Sequence, residues 1–326
     1  MIMKRLILVL LCAVGFTARA QEKDSLLVMF WNVENFFDWI DQGTGESDKE
    51  FSSHGDRYWT KKKFYSKCDA IAKSIMWIGD TYGRIPDVIG LAEVENEGVL
   101  SKMLSSTLLR KYDYGIIHHD SNDRRGIDVA LLYRKSILSP QSINLKSPEG
   151  VRTRDILHVE MLDNYGRTLD FSVNHHPSKY GGEKESTERR NVVMNVLKDL
   201  CDSLVTCGRR NIVAMGDFND VPDAAQFDVI EKNLLNKGKV LHERGDGTIR
   251  YKGKWELIDN FLVSTTLETS EMSVVRIPFL MVYEKRYPGE KPLRTYSGPR
   301  YLGGVSAARD RQSGLGQGDA QVRHAA

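Results

Sequence analysis

The chain has 326 residues, of which 41% are hydrophobic and 28% are charged. This length and composition predict a globular protein with a sizeable core, and four cysteines are too few for a small disulfide-rich scaffold. The formal net charge is +2, from 46 basic and 44 acidic residues, so the whole-chain charge gives no argument for binding a polyanion.

Residues 1–20 have the features of a secretory signal peptide. Lys4 and Arg5 precede an apolar run, and Ala18 and Ala20 predict cleavage before Gln21. The apolar run is shorter than the ~20 residues of a spanning helix, so we expect no stable membrane span. We therefore expect a secreted or periplasmic protein, with a mature charge of 43 − 44 = −1 after three basic residues are removed.

Short apolar strands alternate with amphipathic helices along the rest of the chain. Runs rich in β-branched or aromatic residues predict strands at residues 26–31, 87–92, 129–133, 169–173, 211–215 and 256–263. Apolar residues at helical spacing predict helices at residues 60–78, 186–205 and 224–235, the first with Thr60 as N-cap. Cys201 is expected in the core, and a bridge to Cys207 is left open. No linker divides the chain, so we expect one domain over residues 21–305.

Polar side chains follow four of these strands at the point where each strand ends. They are Asn32, Glu34, Glu93, His175, Asp217 and Asn219. Polar residues at the same end of neighbouring strands meet at one rim of a sheet. Because strand residues alternate faces, we expect Asn32 and Glu34 to point one way, and likewise Asp217 and Asn219 if that segment is extended. Carboxylate and amide oxygens without thiols suit a hard cation such as Mg²⁺ or Mn²⁺.

Each of these residues also has a plainer structural interpretation. Asn and Asp after a strand are common turn residues, and taken singly each is more often structural. Glu93 and Asp259 resist that interpretation, because each lies in an apolar strand where a buried carboxylate needs a partner. Of the adjacent His175 and His176, strand alternation places one in a site and the other in packing. The chain contains no serine on a Gly-flanked strand-to-helix turn.

Six strings occur in a fixed order along the chain. They are FWNVENFFD (30–38), GLAEVEN (90–96), DVALLYR (128–134), VNHHPSK (173–179), GDFND (216–220) and LIDNFLVS (257–264). Together they resemble the endonuclease/exonuclease/phosphatase superfamily over about residues 26–305. The resemblance implies a mixed α/β (α+β) fold, a four-layer αββα sandwich of two mixed β-sheets flanked by helices. It also implies metal-dependent hydrolysis of phosphate esters.

The resemblance assigns metal-binding and substrate-binding positions. Asn32 and Glu93 match the metal-binding positions of the superfamily, and Glu34 matches one more weakly because some relatives have Asp there. Basic residues near the expected site, among them Arg125 and Lys179, are candidates for gripping phosphate, although a solvated surface explains them equally well.

The resemblance also assigns catalytic positions. His175 matches the histidine that helps to hold the scissile phosphate. Asp217 and Asn219 match the pair that orients the attacking water and contacts the phosphoryl oxygens. Asp259 matches the acid that hydrogen-bonds the catalytic histidine, which relatives supply from a Ser-Asp-His motif near the C-terminus.

The C-terminal end departs from this pattern. Residues 289–304 resemble the segment that leads into Ser-Asp-His, and Ser306 follows, but Ala307 and Ala308 stand where Asp-His is expected. Residues 306–326 are then expected to be an atypical, disordered tail, since they contain few apolar side chains. The abrupt change in composition favours a shifted reading frame or recombined end over natural divergence.

The sequence therefore predicts a monomeric Mg²⁺- or Mn²⁺-dependent phosphoric ester hydrolase. The first hypothesis is an endonuclease-like phosphodiesterase acting on nucleic acid or another phosphodiester. A phosphatase or phosphodiesterase of lipid or sugar phosphates is the alternative within the same chemistry. A catalytically impaired binding protein is the alternative from another class, because the missing motif leaves Asp259 without its histidine.

Overall fold

The computed structural model describes residues 25–179, 182–292 and 305–309. The expected signal peptide at residues 1–20 and the part of the expected tail after residue 309 lie outside these ranges. The helices are α1 (Glu46–Glu50), α2 (Lys61–Tyr82), α3 (Glu97–Ser106), α4 (Glu183–Thr206) and α5 (Lys239–Glu243).

The first eight strands are β1 (Leu27–Phe36), β2 (Val88–Val94), β3 (Tyr114–His118), β4 (Asp128–Arg134), β5 (Leu138–Lys146), β6 (Ile156–Asp163), β7 (Thr168–His175) and β8 (Ile212–Asp217). The later strands are β9 (Leu234–Asn236), β10 (Ile249–Tyr251), β11 (Lys254–Glu256), β12 (Asp259–Ser264), β13 (Glu271–Val275), β14 (Met281–Glu284), β15 (Gly289–Pro292) and β16 (Val305–Arg309).

Two six-stranded sheets contain most of the described strands. The strand order is β13-β16-β1-β2-β4-β3 in the first sheet and β5-β6-β7-β8-β12-β9 in the second. The pairs β1–β2 and β7–β8 are parallel, whereas β2–β4 and β8–β12 are antiparallel, so both sheets are mixed. The remaining described strands form the short ribbons β10–β11 and β14–β15.

Strand β1 shows how the layers are stacked. Val28 and Phe30 are buried together with apolar residues of the second sheet, whereas Leu27, Met29 and Trp31 are buried with apolar residues of α2 and α3. This alternation follows from the two-residue repeat of a strand. Helix α4 covers the outer face of the second sheet with a separate apolar cluster. The expected four-layer αββα sandwich is therefore confirmed.

The two sheets approach each other closely at Gly90 of β2. A Cβ atom at this position would lie 2.9 Å from the Sδ atom of Met215 on β8 and 3.1 Å from the ring of Phe30. The absence of a side chain therefore lets the sheets close over this point. Because Glu93 follows on β2 and Asp217 on β8, this packing fixes how far apart those two carboxylates lie.

Two of the three predicted helices are confirmed, and the third is wrong. Thr60 caps α2 as expected, with its side chain accepting a hydrogen bond from the Lys63 N–H at 3.4 Å. At residues 224–235 the chain instead forms a single 3₁₀ turn, further turns and the edge strand β9. Phe227 and Ile230 are buried as their spacing predicted, but pairing of β9 with β12 overrides the local helical pattern.

Cys201 and Cys207 do not form a disulfide bridge. Cys201 is buried as predicted, and both it and the exposed Cys207 are free thiols.

Strand β16 lies between β1 and β13 and is antiparallel to both. Residues 306–309 therefore form a strand where a disordered tail was expected. Strand pairing uses backbone N–H and C=O groups, which small residues supply as well as large ones.

His176, just beyond β7, is packed and does not line the rim. It is fully buried, its ring lies 4.8 Å from the Phe218 ring, and neither ring nitrogen has a hydrogen-bond partner among the described residues. Burial, with the nearby charges of Arg154 and Arg190, lowers the pKa of His176 to about 3. The ring is therefore neutral at physiological pH.

We predict that His176→Phe loses less stability in acid than the unchanged chain. The folded pKa is lowered from 6.5 to about 3, so the unfolded state binds more protons in this range and stability falls as the pH drops through it. At about pH 4.5 the loss is about 2–3 kcal/mol, at ~1.4 kcal/mol per pH unit. Denaturant unfolding at neutral and acid pH measures it.

The matched control is His54→Gln, because His54 is an exposed histidine on the surface. This variant should keep the full acid sensitivity of the unchanged chain. Equal acid losses in His176→Phe and the unchanged chain would contradict the description of His176 as a buried neutral ring.

Candidate active site

The ends of five strands meet at one rim of the sandwich. Strands β1 and β2 run parallel in the first sheet, and β7 and β8 run parallel in the second, so their C-terminal ends share an edge. Strand β12 runs antiparallel to β8 and begins at this edge. His175 and Asp259 are the residues paired with Asp217 on its two sides. The rim predicted from strand ends is therefore present.

Asn32 links the two sheets through its side-chain amide. Its Nδ2 atom donates to Asp217 Oδ2 at 3.0 Å and makes a long 3.4 Å contact with Glu93 Oε1. Its Oδ1 atom accepts the Glu34 N–H at 2.9 Å. Asn32 thus connects a carboxylate of the first sheet with one of the second, and it does so without a charge of its own.

The backbone at the rim adopts left-handed conformations that non-glycine residues rarely adopt. Glu34, Asn35, Glu93 and Asn219 have φ angles of 49°, 50°, 62° and 52°, and they make up four of the seven non-glycine residues with positive φ in the described ranges. Such strain collects at functional sites. It also makes the expectation for Asn32 and Glu34 wrong, because Glu34 is not extended. Asn219 is not extended either, so the condition under which alternation would orient Asp217 and Asn219 is not met.

Asp217 is held by donors on two sides. Besides Asn32, the backbone N–H of Asn219 donates to its Oδ1 atom at 2.9 Å. Burial raises the pKa of Asp217 to about 6, although these two hydrogen bonds oppose the rise. Asn219 is itself fixed, since its Nδ2 atom donates to the carbonyl of His176 at 2.9 Å. Asp217 is therefore a buried carboxylate with a pKa suited to accepting a proton near neutrality.

His175 faces Asp217 across the β7–β8 pair. Its Nε2 atom lies 3.9 Å from Asp217 Oδ2, and its buried Nδ1 atom has no hydrogen-bond partner among the described residues. Burial, together with the positive charges of Arg154 and Arg125, holds the pKa of His175 well below its usual range. A neutral imidazole carries one N–H donor and one acceptor. As expected, one histidine of the pair lies in the site and the other is packed.

Glu93 remains ionised despite its burial. Its Oε2 atom accepts the Asn35 N–H at 2.8 Å and an Arg125 guanidinium N–H at 3.3 Å. Burial alone would raise the pKa of Glu93, but Arg125 and the Asn35 N–H outweigh burial and lower it. Among the residues that the structure describes, Glu93 Oε1 makes only the long contact with Asn32, so this ionised oxygen is suited to a hard cation.

Asp259 is the third acid of this site, and its side chain is buried. Its buried Oδ1 atom has no hydrogen-bond partner among the residues described, and its backbone N–H donates to Thr248 Oγ1 at 3.3 Å. Burial and the neighbouring Asp217 carboxylate raise the pKa of Asp259 well above its usual value. Burial and the adjacent carboxylate therefore both favour the protonated form of Asp259.

Arg154 and Asp123 belong to the site and were missed from the sequence. The buried guanidinium of Arg154 donates to Asp123 Oδ2 at 3.2 Å and to the carbonyl of His176 at 2.8 Å. It thereby fixes the chain beside His175 and helps to keep that ring neutral. Arg154 lies in a loop before β6, where a charged residue gives no sign of burial in the sequence.

Three predicted residues remain, Arg125, Lys179 and Glu34. Arg125 reaches the centre of the site, where it also donates to Asn35 Oδ1 at 2.5 Å. Lys179 instead lies beside Asp220 and Glu256, with Nζ to carboxylate distances of 3.3 and 3.6 Å. The carbonyl of Glu34 accepts a hydrogen bond from the buried Lys67 ammonium group.

Comparison with known proteins identifies relatives of this fold. Residues 27–309 match the family described as "Endonuclease/Exonuclease/phosphatase family". No curated protein matches the chain by sequence. Within the described ranges, no helix has the length and apolar character needed to cross a membrane.

Three solved structures show the fold that the chain shares. Truncated TDP2 of Caenorhabditis elegans is 14% identical over 88% of this chain and 97% of that one, with a TM-score of 0.57. A mannosyl-6-phosphatase of Bacteroides thetaiotaomicron is 14% identical over 87% and 99%, with a TM-score of 0.57. TDP2 of D. rerio complexed with single-strand DNA product is 15% identical over 88% and 100%, with a TM-score of 0.51. The chain belongs to the endonuclease/exonuclease/phosphatase family.

Proposed function

We propose that this site hydrolyses phosphate esters with the help of a divalent metal ion, as an endonuclease-like phosphodiesterase. The supporting observation is the cluster in which Asn32 joins ionised Glu93 to Asp217, with neutral His175 alongside. Water attack on a phosphate ester needs a base for the water proton, donors for the phosphoryl oxygens and positive charge to offset the anion. The described residues supply candidates for each requirement.

Mg²⁺ or Mn²⁺ suits the oxygen donors of this cluster. Glu93 would hold the ion, with Asn32 and Glu34 as the further positions that the family resemblance suggests. Such an ion offsets the negative charge that develops on phosphoryl and leaving oxygens.

The side chains around Asp217 divide the remaining work. Asp217 accepts the proton of the attacking water, for which a pKa of about 6 is well placed. His175, as a neutral ring with an unpaired nitrogen, donates to a phosphoryl oxygen. Arg125, which is only half buried, attracts the anionic substrate to the rim. Arg154 fixes the backbone at His176 by donating a hydrogen bond to its carbonyl.

The substrate class has two candidates within this chemistry. One structural neighbour is complexed with a single-strand DNA product and another is a mannosyl-6-phosphatase, so nucleic acid and a sugar phosphate are both candidate substrates. We favour nucleic acid or another phosphodiester for this chain. The signal-peptide pattern at residues 1–20 extends the proposal to a secreted or periplasmic location.

Asp259 supports a further part of the proposal, that turnover by this chain is impaired. A buried acid with no partner for Oδ1 among the described residues fits the loss of the Asp-His pair after Ser306. We propose that a shifted reading frame or a recombined end produced this segment, and resequencing codons 305–310 tests it. An intact frame with no downstream codons for Ser-Asp-His would exclude the shift.

Asp217→Asn should lower kcat by about 10²–10⁴-fold with little change in KM, because the amide keeps the shape but cannot take a proton. Cleavage of plasmid DNA, RNA, sphingomyelin, a generic phosphodiester and a sugar phosphate measures the effect and identifies the substrate. The control is Asp199→Asn, an exposed acid on α4 that should have no effect. An Asp217→Asn enzyme as fast as the unchanged one would refute the assigned role.

Removal of divalent metal by EDTA should abolish hydrolysis, and added Mg²⁺ or Mn²⁺ should restore it. Glu93→Gln should raise the metal concentration for half-maximal activity by about 10–100-fold, a range typical of weakened metal sites. Hydrolysis that continues undiminished in chelator would contradict the metal-dependent mechanism.

A chain whose C-terminal end is rebuilt with Ser-Asp-His at the rim, ahead of the strand that pairs with β1, should raise kcat by about 10²–10⁴-fold, because it supplies the missing acid–base pair. Exchanging Ala307 and Ala308 in place would not do this, since they pair with Met29 and Val28 and lie away from Asn32. The gain in kcat should shrink when Asp259→Asn is added, because the amide cannot act as the acid that pairs with the restored histidine. Activity assays of the three proteins measure this. If the restored protein cleaves none of the substrates, the hydrolase proposal fails.

A further inference from the structure

A second cluster of metal-ligating side chains lies outside the candidate active site. His118 ends β3 and Asp128 begins β4, and Asp120 lies in the loop between them. One candidate ligand atom from each residue lies within 4.8 Å of the other two. Because His118 pairs with Ala130 across the strands, Asp128 is its diagonal neighbour on the same face. The sheet therefore sets the spacing of two of the three side chains.

Two members of the cluster, His118 and Asp128, are buried, and His118 has a ring nitrogen without a hydrogen-bond partner among the described residues. The Asp128 carboxylate is 5% exposed, and its Oδ1 atom accepts the Ser121 N–H at 2.9 Å while Oδ2 faces the His118 ring. The His118 side chain is 4% exposed, and its Nε2 atom has no hydrogen-bond partner among the described residues. A buried imidazole nitrogen that faces a carboxylate without bonding it is unusual, since buried polar atoms are nearly always satisfied.

The distance between His118 and Asp128 fits a shared ion better than a direct hydrogen bond. His118 Nε2 lies 3.6 Å from Asp128 Oδ2. Asp120 Oδ1 lies 3.8 Å from the other ring nitrogen, Nδ1, so the exposed Asp120 side chain would turn to join an ion held at Nε2. Hydrogen bonds between such atoms are about 2.7–3.2 Å long. Two ligands about 2.1 Å from one tetrahedral ion are roughly 3.4 Å apart. The gap between His118 and Asp128 is close to that value.

We propose that His118, Asp120 and Asp128 bind a divalent transition-metal ion such as Mn²⁺ or Zn²⁺. One imidazole nitrogen with carboxylate oxygens suits these ions, whereas Mg²⁺ favours oxygen ligands alone. Asp120 is 85% exposed and gives the ion a route from solvent. None of the three proposed ligands belongs to the Glu93 cluster, although Asp128 pairs with Val94, the residue after Glu93. The proposal does not depend on the proposed hydrolysis.

The position of the ion defines its role. Residues 119–127 form the loop between β3 and β4, and this loop carries Asp123, which holds Arg154, and Arg125, which contacts Glu93. An ion on His118 and Asp128 joins both ends of this loop. It therefore orders the two arginine contacts of the rim without touching substrate.

The test uses Mn²⁺ binding to the full chain carrying Glu93→Gln, followed by electron paramagnetic resonance. We expect one bound Mn²⁺ whose spin-echo signal shows coupling to the ¹⁴N nucleus of His118. His118→Gln should remove that coupling, and Asp120→Asn should weaken binding by about 10–100-fold. Because Asp120 is exposed, its variant should keep the fold, which circular dichroism checks.

The exposed neighbour His119 provides the matched control, and His119→Gln should change neither binding nor coupling. Two results would overturn the site. One is a Glu93→Gln chain that binds no Mn²⁺ at about millimolar concentration, well above the affinity of a built site. The other is Mn²⁺ binding that persists unchanged in both His118→Gln and Asp120→Asn. Neither result bears on hydrolysis at Asp217.

Discussion

The amide of Asn32 is the contact on which the rest of the site depends, because it joins carboxylates that belong to different sheets. Two buried carboxylates that contact the same amide repel each other if both are ionised. A neutral donor between them lowers that cost without adding a charge that must itself be buried. The arrangement holds only if the sheets keep their separation, which the bare backbone of Gly90 against Met215 sets.

The three acids of the rim differ because their surroundings differ. Glu93 lies against Arg125 and has a lowered pKa, Asp217 receives hydrogen bonds from neutral donors and has a raised pKa, and Asp259 lies beside Asp217 and has a pKa well above its usual value. Sites that pass protons commonly separate the pKa values of neighbouring groups in this way. The order of the three pKa values follows the distribution of positive charge, which Arg125 and Arg154 supply.

The layered fold and most of the rim could be predicted from the sequence, because strand ends and apolar periodicity are local signals. Asn32, Glu93, His175, Asp217 and Asp259 follow or begin apolar strands, so topology alone brings them together. The role of Arg154 could not be predicted, since its burial depends on a loop folding beneath His176. The helix expected at residues 224–235 failed for a related reason, because pairing of β9 with β12 is a distant contact.

Strand β16 has a consequence for the order in which the molecule forms. Leu27 pairs with Arg309, a separation of 309 − 27 = 282 residues. The first described strand therefore waits for the last described one, and until then β1 and β13 present open edges to other chains. Contacts this distant in sequence slow folding, because the chain must close a long loop before they form. The strand that carries Asn32 is thus completed late, and a nascent chain remains open to aggregation until β16 pairs.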